Sequence, residues 1–304
     1  MRMIKMTARA LAVLLALSGV ARADGFNPSV VPTSAVWILH VDMSGLKGLA
    51  VGRSLMAHPQ VADSPQLADF TTRFGLDPRR DLRGVTFYTV STGRLDAVAV
   101  IDPEPASAAR LQAWREAGGF TGQAYGTHTI YNRSTGQGIP FHAVVADGRI
   151  VTALAVDGVR RGLDVLDRKT APLALSAFPA LADRKSGAGA IFLLAGRAFG
   201  PEMQGLLPQI SMLRKAGSLC LTLGEKGGQV AAVLSVSAEE EPEAERLQNT
   251  LLAFVEIGRA MAANDSRPDP AQSVTVTREG KMVHAEGAWK IDEILKMMGG
   301  PRAP

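Results

Sequence analysis

The feature that most constrains the fold of this chain is a series of short β-rich runs separated by glycine turns. The segment 128–155, HTIYNRSTGQGIPFHAVVADGRIVTALA, is divided into three such runs by a glycine-rich stretch and by Asp147-Gly148. Glycine at these places supplies the positive φ angles that tight hairpin turns require. A further hairpin is predicted over 84–102, turning at Thr92-Gly93. The pattern therefore predicts antiparallel strands and excludes a doubly wound nucleotide-binding fold.

The order of these elements recurs along the chain. The first half is predicted to hold a strand, a hairpin and a helix, at 35–42, 84–102 and 107–117. The second half is predicted to hold the same three elements, at 189–196, 218–237 and 239–263. Recurrence of one order of elements predicts an internal duplication.

A gapless comparison of 147–166 with 279–298 supports the duplication. Four positions are identical, namely Gly148 with Gly280, Val151 with Val283, Ala153 with Ala285 and Leu163 with Leu295. Both segments begin with a turn, continue as a strand and are predicted to end as a helix, which covers about 157–167 in the first copy. Because the turn occurs in both copies, we interpret Asp147-Gly148 as a bend in the backbone and not as a site.

These patterns predict an α+β fold of two tandem similar units, each a largely antiparallel sheet with helices packed on one face. The predicted division is a signal peptide at 1–23, a flexible segment at 24–34, the first repeat at 35–168, a linker at 169–188, the second repeat at 189–298 and a disordered tail at 299–304.

The N-terminus has the pattern of a secretory signal peptide. Three basic residues precede an apolar run from Ala10 to Leu17, and Ala21-Arg22-Ala23 forms a small-residue cleavage site. The apolar run is shorter than the roughly 20 residues that span a bilayer. We therefore expect cleavage after Ala23 and a periplasmic or secreted protein with no transmembrane segment left after cleavage. The single cysteine, Cys220, precludes an intramolecular disulfide, which favours a bacterial periplasm over other exported compartments.

The net charge argues against nucleic acid as a partner. The whole chain carries 33 basic and 29 acidic residues, but four of the basic residues lie in the predicted leader, which has no acidic residue. The mature chain would therefore carry 29 of each. A mature chain with zero net charge lacks the electrostatic footprint that phosphate-backbone binding normally requires.

Familiar catalytic motifs are missing from the sequence. The glycine-rich stretches at 134–138 and 224–228 lie between strands and lack the Gly-Lys-Ser/Thr of a phosphate-binding loop. No G-x-S-x-G elbow and no H-E-x-x-H pattern occurs. We therefore expect no cofactor and favour a protein without enzymatic activity.

Two groups of side chains are candidates for a functional site. A hairpin centred near Thr135 would place His128 opposite His142, where two imidazoles could share a metal ion if a third ligand were present. The alternative is that both are ordinary half-exposed strand residues. The cluster of Arg79, Arg80 and Arg83 could contact an anionic partner or a lipid head group, with a solvated loop as the alternative.

Three hypotheses about function follow. The first is a non-enzymatic binding or interaction protein of unknown protein, lipid or small-molecule ligand. The second is a metal-dependent hydrolytic enzyme that uses His128 and His142. The third is a carrier of lipid or another apolar ligand, suggested by methionines of the second repeat that could line a pocket: Met203, Met212, Met261, Met282, Met297 and Met298.

The layout resembles exported bacterial proteins of unknown function that carry a leader and a duplicated, hairpin-rich α+β unit. The phrases WILHVD at 37–42 and FGLDPRRDLRGVTFY at 74–88 contribute to this resemblance. The resemblance implies the fold and the export, but it implies no activity and no catalytic residues.

Overall fold

The chain divides into two compact units in a computed structural model that describes residues 25–57, 64–91, 97–116, 120–134, 140–182, 190–197, 216–265, 271–291 and 293. The N-terminal unit takes the described residues within 24–44 and 56–177, and the C-terminal unit takes those within 45–55 and 178–304. The change of unit after residue 177 falls inside the predicted linker 169–188. Residues 45–55 belong to the C-terminal unit although they come early in the sequence.

The N-terminal unit is built on an antiparallel sheet. Its strands are β1 (Trp37–Asp42), β2 (Leu82–Thr89), β3 (Val98–Pro103), β4 (Thr121–Tyr125), β5 (His128–Ser134), β6 (Pro140–Ala146) and β7 (Arg149–Ala153). Their order across the sheet is β1-β2-β3-β7-β6-β5-β4, and each neighbouring pair is antiparallel. The predicted α+β class and antiparallel sheet are thus confirmed. Strand β4, which the sequence analysis did not predict, is an outer strand of this order.

The C-terminal unit contains five antiparallel strands. Its strands are β8 (Phe192–Gly196), β9 (Ala216–Lys226), β10 (Gln229–Ala238), β11 (Thr275–Glu279) and β12 (Met282–Lys290). Their order is β8-β9-β10-β12-β11, with β11 as an outer strand. In both units, therefore, the last strand pairs with the second strand of the first hairpin: β7 with β3, and β12 with β10.

Helices lie between several of the strands. They are α1 (Met43–Gly48), α2 (Ala50–Ala57), α3 (Pro65–Phe74), α4 (Pro78–Asp81), α5 (Ala108–Glu116), α6 (Val156–Leu166), α7 (Pro179–Ala182) and α8 (Glu241–Asp265). Within the described residues, no helix combines the length and the hydropathy that crossing a bilayer requires.

The β6–β7 connection is a hairpin turn at Asp147-Gly148, as predicted. Asp147 and Gly148 have φ angles of 50° and 70°, the left-handed pair of a type I′ hairpin turn. Asp147 also accepts a hydrogen bond from the Arg149 guanidinium at 2.8 Å, so its carboxylate has a local partner. In the β11–β12 turn Gly280, with φ 55°, is the first of the two turn residues, because Glu279 pairs with Met282. The two turns are therefore offset by one residue from the gapless alignment.

Helices α3 and α6 lie on opposite faces of the N-terminal sheet, so the expectation of helices on one face is wrong for this unit. The Tyr88 hydroxyl lies close to Gly162 of α6, whereas Phe87 lines a cleft together with Phe74 of α3. Side chains of consecutive strand residues point to opposite faces of a sheet. Both faces are apolar enough to take a helix, a property that the alternating pattern of the individual strands does not reveal.

Helix α6 approaches the sheet closely because two of its residues have no side chain. A Cβ on Gly158 would lie 2.6 Å from the Ala153 Cβ, and one on Gly162 would lie 2.4 Å from the Val151 Cγ1. Val159 and Leu163, on the same helix, are fully buried. The glycines set the distance between helix and sheet, and the aliphatic side chains fill the layer.

Candidate binding cleft

The N-terminal unit contains an apolar cleft of about 350 Å³ between α3 and one face of its sheet. Its walls are formed by four phenylalanine rings, Phe70, Phe74, Phe87 and Phe141. Phe70 and Phe74 come from α3, Phe87 from β2 and Phe141 from β6. A concave volume of this size, lined mainly by aromatic and aliphatic groups, is typical of small-molecule sites, which occupy roughly 300–1,000 Å³.

Helix α3 is held in place at both ends. Ser64 caps its N-terminus, accepting a hydrogen bond from the Leu67 amide at 3.3 Å, and Gly75 ends it in the left-handed conformation. Trp114 of α5 donates its indole N–H to the Arg73 carbonyl in the last turn at 2.5 Å. The spacing of four residues puts Phe70 and Phe74 on the same side of the helix, which is the side that faces the sheet.

An aromatic cluster fixes the inner end of the cleft. The Phe74 ring meets the Phe141 ring edge-on at 5.8 Å and lies 6.1 Å from Trp114. Phe74, Trp114 and Phe141 are all buried. This cluster holds α3 against β6, so the wall of the cleft is part of the core of the unit.

The floor of the cleft is made of small side chains. Ala99 of β3 and Thr152 of β7 are directly paired on neighbouring strands, and Ala97 lies two residues before Ala99. The Thr152 hydroxyl donates to the His142 carbonyl at 2.8 Å, so this polar group on the floor is satisfied. Small residues under a helix whose own side chains are large leave the volume unfilled.

The mouth of the cleft exposes two large apolar side chains. Phe87 is 41% exposed and Leu154 is 40% exposed. Both line the cleft. Large apolar groups that reach solvent at the rim of a concave site would lose contact with water when a ligand binds, which favours apolar ligands.

One ion pair borders the cleft. The Arg73 Nε lies 2.7 Å from Asp69 Oδ2, one helical turn earlier, and the Arg73 guanidinium lies 5.7 Å from the centre of the Phe141 ring. The side chains of Arg73 and Asp69 are 28% and 55% exposed, so water reaches both. The pair places two opposite charges side by side on the α3 wall.

The structure does not bring His128 and His142 together, and the register on which the predicted metal site depended is wrong. His142 pairs with Asn132, so the β5–β6 hairpin is centred near position 137 and not near Thr135. His128 lies four residues from Asn132 along β5, about 13 Å at the usual rise of a strand. His142 contacts the Asn132 side chain through Nδ1, and burial lowers the pKa of His142.

His128 belongs to a different group of side chains. Its Nε2 lies 2.9 Å from Asp167 just after α6, and Asp167 also accepts a hydrogen bond from Lys169 at 2.8 Å. The hydrogen bonds from Lys169 and His128 lower the pKa of Asp167. Nearby, the hydrogen bond from Tyr125 to Asp164 raises the pKa of Tyr125. These contacts attach the β4–β5 hairpin to the end of α6.

The described part of the chain contains no group of three or more His, Cys, Asp or Glu side chains that could hold a metal ion. His284 is buried beside Ser235, whose hydroxyl lies 3.1 Å from its Nδ1, and Cys220 is also buried. Burial of these groups within the C-terminal sheet makes them part of its packing.

The arginine cluster is engaged by neighbouring carboxylates. The Arg79 Nε lies 3.1 Å from Asp77, and an Arg83 guanidinium nitrogen lies 2.7 Å from Asp102. Arg80 is exposed on α4 and lies next to Asp81 in the sequence. The sequence pattern showed the arginines as a run, and folding places Asp77 beside Arg79 and Asp102 beside Arg83.

Most of the methionines proposed to line a pocket lie outside the described residues or have side chains that are not described. Met282 is the exception, half-buried at the start of β12. The cleft of the N-terminal unit was not predicted, because its lining comes from α3, from the β2–β3 pair and from the β6–β7 pair, which lie in different parts of the sequence. The local signal that could have drawn attention to it is the pair Phe70 and Phe74 on a short, capped helix.

Comparisons with known proteins give similarity to solved structures. No family model matches the chain, and no curated protein matches it. Three crystal forms of the protein TP0453 match by structure. Form III is 13% identical, with 91% of this chain and 99% of that chain covered and a TM-score of 0.49. Form I is 14% identical, with 90% and 97% covered and a TM-score of 0.49. Form IV is 14% identical, with 93% and 98% covered and the same TM-score of 0.49.

Proposed function

We propose that this protein is an exported, non-enzymatic binding protein whose N-terminal unit holds a small apolar ligand in the cleft under α3. The observation that carries the proposal is the cleft itself: about 350 Å³ of space with four phenylalanine rings in its walls and small residues on its floor. The proposal joins the first and third sequence hypotheses. It moves the apolar site from the methionines of the second repeat to the N-terminal unit.

The proposal also includes the export and the internal duplication that the sequence predicts. The leader would be cleaved after Ala23 and would deliver the mature chain to the periplasm or the exterior. The two units would descend from one duplicated α+β unit, a view supported by their common order of strand, hairpin, helix and hairpin. Strands β4 and β5 would then be an addition to the first copy.

The ligand would bind by displacing water from apolar surface. Phe87 and Leu154 would be covered at the mouth, and the ligand would contact Ala99 and Thr152 on the floor. Burial of apolar area contributes roughly 25 cal/mol per Å² before the costs of association are subtracted. A preformed wall lowers the ordering cost, because Phe74 and Phe141 are already fixed in the core.

A fluorescence titration tests the proposal. N-phenyl-1-naphthylamine is a neutral fluorophore that brightens in apolar surroundings, and we expect the mature protein to bind it saturably. Ala99→Phe should fill the floor of the cleft and lower the affinity by at least about tenfold, which corresponds to 1.4 kcal/mol. The Ala99 side chain is buried against the cleft, so the larger ring can extend into that space.

Ala124→Phe is the matched control. Ala124 is an exposed residue of the outer strand β4 and does not line the cleft. This variant should bind the probe as the unmodified protein does. Equal affinities for the unmodified protein and a folded Ala99→Phe variant, with folding checked by circular dichroism, would mean that the ligand site is elsewhere and would refute the proposal.

A further inference from the structure

The charges on the cleft restrict the kind of ligand that it accepts, provided that the proposed function is correct. Among the described residues that line the cleft, Asp69 and Arg73 carry the charges, and they pair with each other at 2.7 Å. Their opposite charges cancel at the site. The cleft therefore offers neither a net positive nor a net negative side chain to a ligand.

The geometry favours this pairing. The two residues are one turn apart on α3, a spacing that brings their side chains together on the helix surface. Arg73 also lies against the face of Phe141, within the range of a cation–π contact. Its guanidinium is thus engaged by a carboxylate on one side and by a ring on the other.

A charged head group in the cleft would meet the like charge of one member of this pair. An anionic head group near Arg73 would bring its charge close to Asp69, and a cationic head group near Asp69 would bring its charge close to Arg73. Either group would also lose part of its hydration in a site lined by phenylalanine and alanine. An uncharged ligand covers the apolar lining and leaves the ion pair in place.

We infer that the cleft selects uncharged apolar molecules of medium chain length, such as a primary aliphatic alcohol, over fatty acids of the same length. The volume, near the lower end of the range for ligand sites, suits a single flexible chain. The Thr152 hydroxyl oxygen, which donates its proton to the His142 carbonyl, can still accept a hydrogen bond from an alcohol.

Competition with the fluorophore measures this selectivity. 1-Decanol and decanoate have the same chain length and differ in charge at pH 7.5, where the acid is ionised. We expect decanol to displace N-phenyl-1-naphthylamine from the unmodified protein at a lower concentration than decanoate does. Asp69→Asn keeps the shape of the side chain but removes its charge, which leaves Arg73 able to pair with a carboxylate.

The decisive quantity is the ratio of the two affinities. Asp69→Asn should raise the affinity for decanoate about fivefold and leave the affinity for decanol unchanged. A fivefold change in affinity is about the largest effect expected from a single ion pair that water reaches. Asp157→Asn is the matched control, because Asp157 pairs with Arg160 on α6, on the opposite face of the sheet. This control should leave both affinities unchanged.

The outcomes separate the inference from the function on which it rests. If decanoate binds the unmodified protein as tightly as decanol does, or if Asp69→Asn leaves the ratio unchanged, the selectivity is overturned while apolar binding stands. If neither the fluorophore nor decanol binds the folded protein, the proposed function fails, and the inference fails with it.

Discussion

Replacement of Gly162 by alanine is expected to destabilise the N-terminal unit even though alanine is the better helix former. A Cβ at this position would lie 2.4 Å from the Val151 Cγ1 and 3.4 Å from both the Tyr88 hydroxyl oxygen and the Val98 Cγ1. The first distance is far shorter than the 3.5–4.0 Å at which carbon atoms attract each other. Either α6 or Val151 must therefore move.

Val151 has little freedom to move. It is fully buried, its strand β7 is paired with β3 on one side and with β6 on the other, and a β-branched side chain has few accessible rotamers. Overpacking a core costs about 1–3 kcal/mol, and we take the upper end for such a confined site. Alanine in place of glycine in a helix returns about 1 kcal/mol. The expected net loss in the free energy of unfolding is about 2 kcal/mol.

Urea unfolding followed by tryptophan fluorescence measures this loss. The chain has three tryptophans, of which Trp37 and Trp114 lie in the N-terminal unit. Measurements in a Trp289→Phe background would make the signal report that unit alone. This separation matters because a chain of two units need not unfold in one step.

A double-mutant cycle tests the cause of the loss. Val151→Ala removes the Cγ1 that the new methyl group would strike, so Gly162→Ala in that background should be neutral or stabilising by up to about 1 kcal/mol. The expected coupling energy is therefore about 2–3 kcal/mol. If Gly162→Ala had the same effect in both backgrounds within about 0.5 kcal/mol, the clash with Val151 would not be its cause and the reasoning would be refuted.

Two further predictions concern the same unit. Burial alone would raise the pKa of Asp81, but the hydrogen bond from the Asp77 amide at 2.8 Å and the contacts with the Arg110 guanidinium lower it below its ordinary value. The contribution of Asp81 to stability is thus complete above the unfolded-state pKa and is lost as the pH falls through that value towards the folded-state pKa. Asp81→Asn should therefore flatten the pH dependence of the free energy of unfolding, measured with urea between pH 3 and pH 7. An unchanged pH dependence would contradict the assignment. Trp114→Phe should remove the hydrogen bond to the Arg73 carbonyl, lower the free energy of unfolding by about 1–3 kcal/mol and weaken fluorophore binding, because the end of α3 loses an anchor. Equal probe affinity in the folded variant would show that this anchor is not needed for the wall of the cleft.

The antiparallel hairpins were predictable from the sequence because their turns depend on local chemistry. Asp-Gly is favoured in two-residue hairpin turns because both residues tolerate positive φ angles, and Asp147 and Gly148 have such angles in the structure. The strands on either side follow from the alternation of apolar and polar residues. The same reasoning missed β4, because the sequence TGQAY is almost entirely exposed and has no apolar face to reveal it.

The register of the β5–β6 hairpin was not predictable in the same way. The glycine-rich loop between the strands has several positions at which a turn could be centred, and each shift of the centre changes every pair. The choice near Thr135 brought His128 to His142, whereas the observed pairing brings His142 to Asn132. Register in a half-buried hairpin is set by what the rest of the fold buries on each face.

The cleft could not be predicted from the sequence because its defining property is an absence of side-chain volume. Ala99 and Thr152 are unremarkable in their own strands, and they matter only because they pair side by side under α3. The pairing of a floor from β3 and β7 with a wall from α3 depends on the tertiary fold. Local pattern identifies the elements, and their packing creates the site.

The outer strands β4 and β11 have a consequence for how the protein behaves at high concentration. Each is only five residues long. A row of backbone amides and carbonyls at a sheet edge can recruit a strand from another molecule and start fibre growth, and short edges limit that recruitment. Arg278 and Glu279 at the end of β11 add exposed charges that an incoming strand would have to accommodate. We therefore expect that lengthening β4 with alternating valines would promote aggregation.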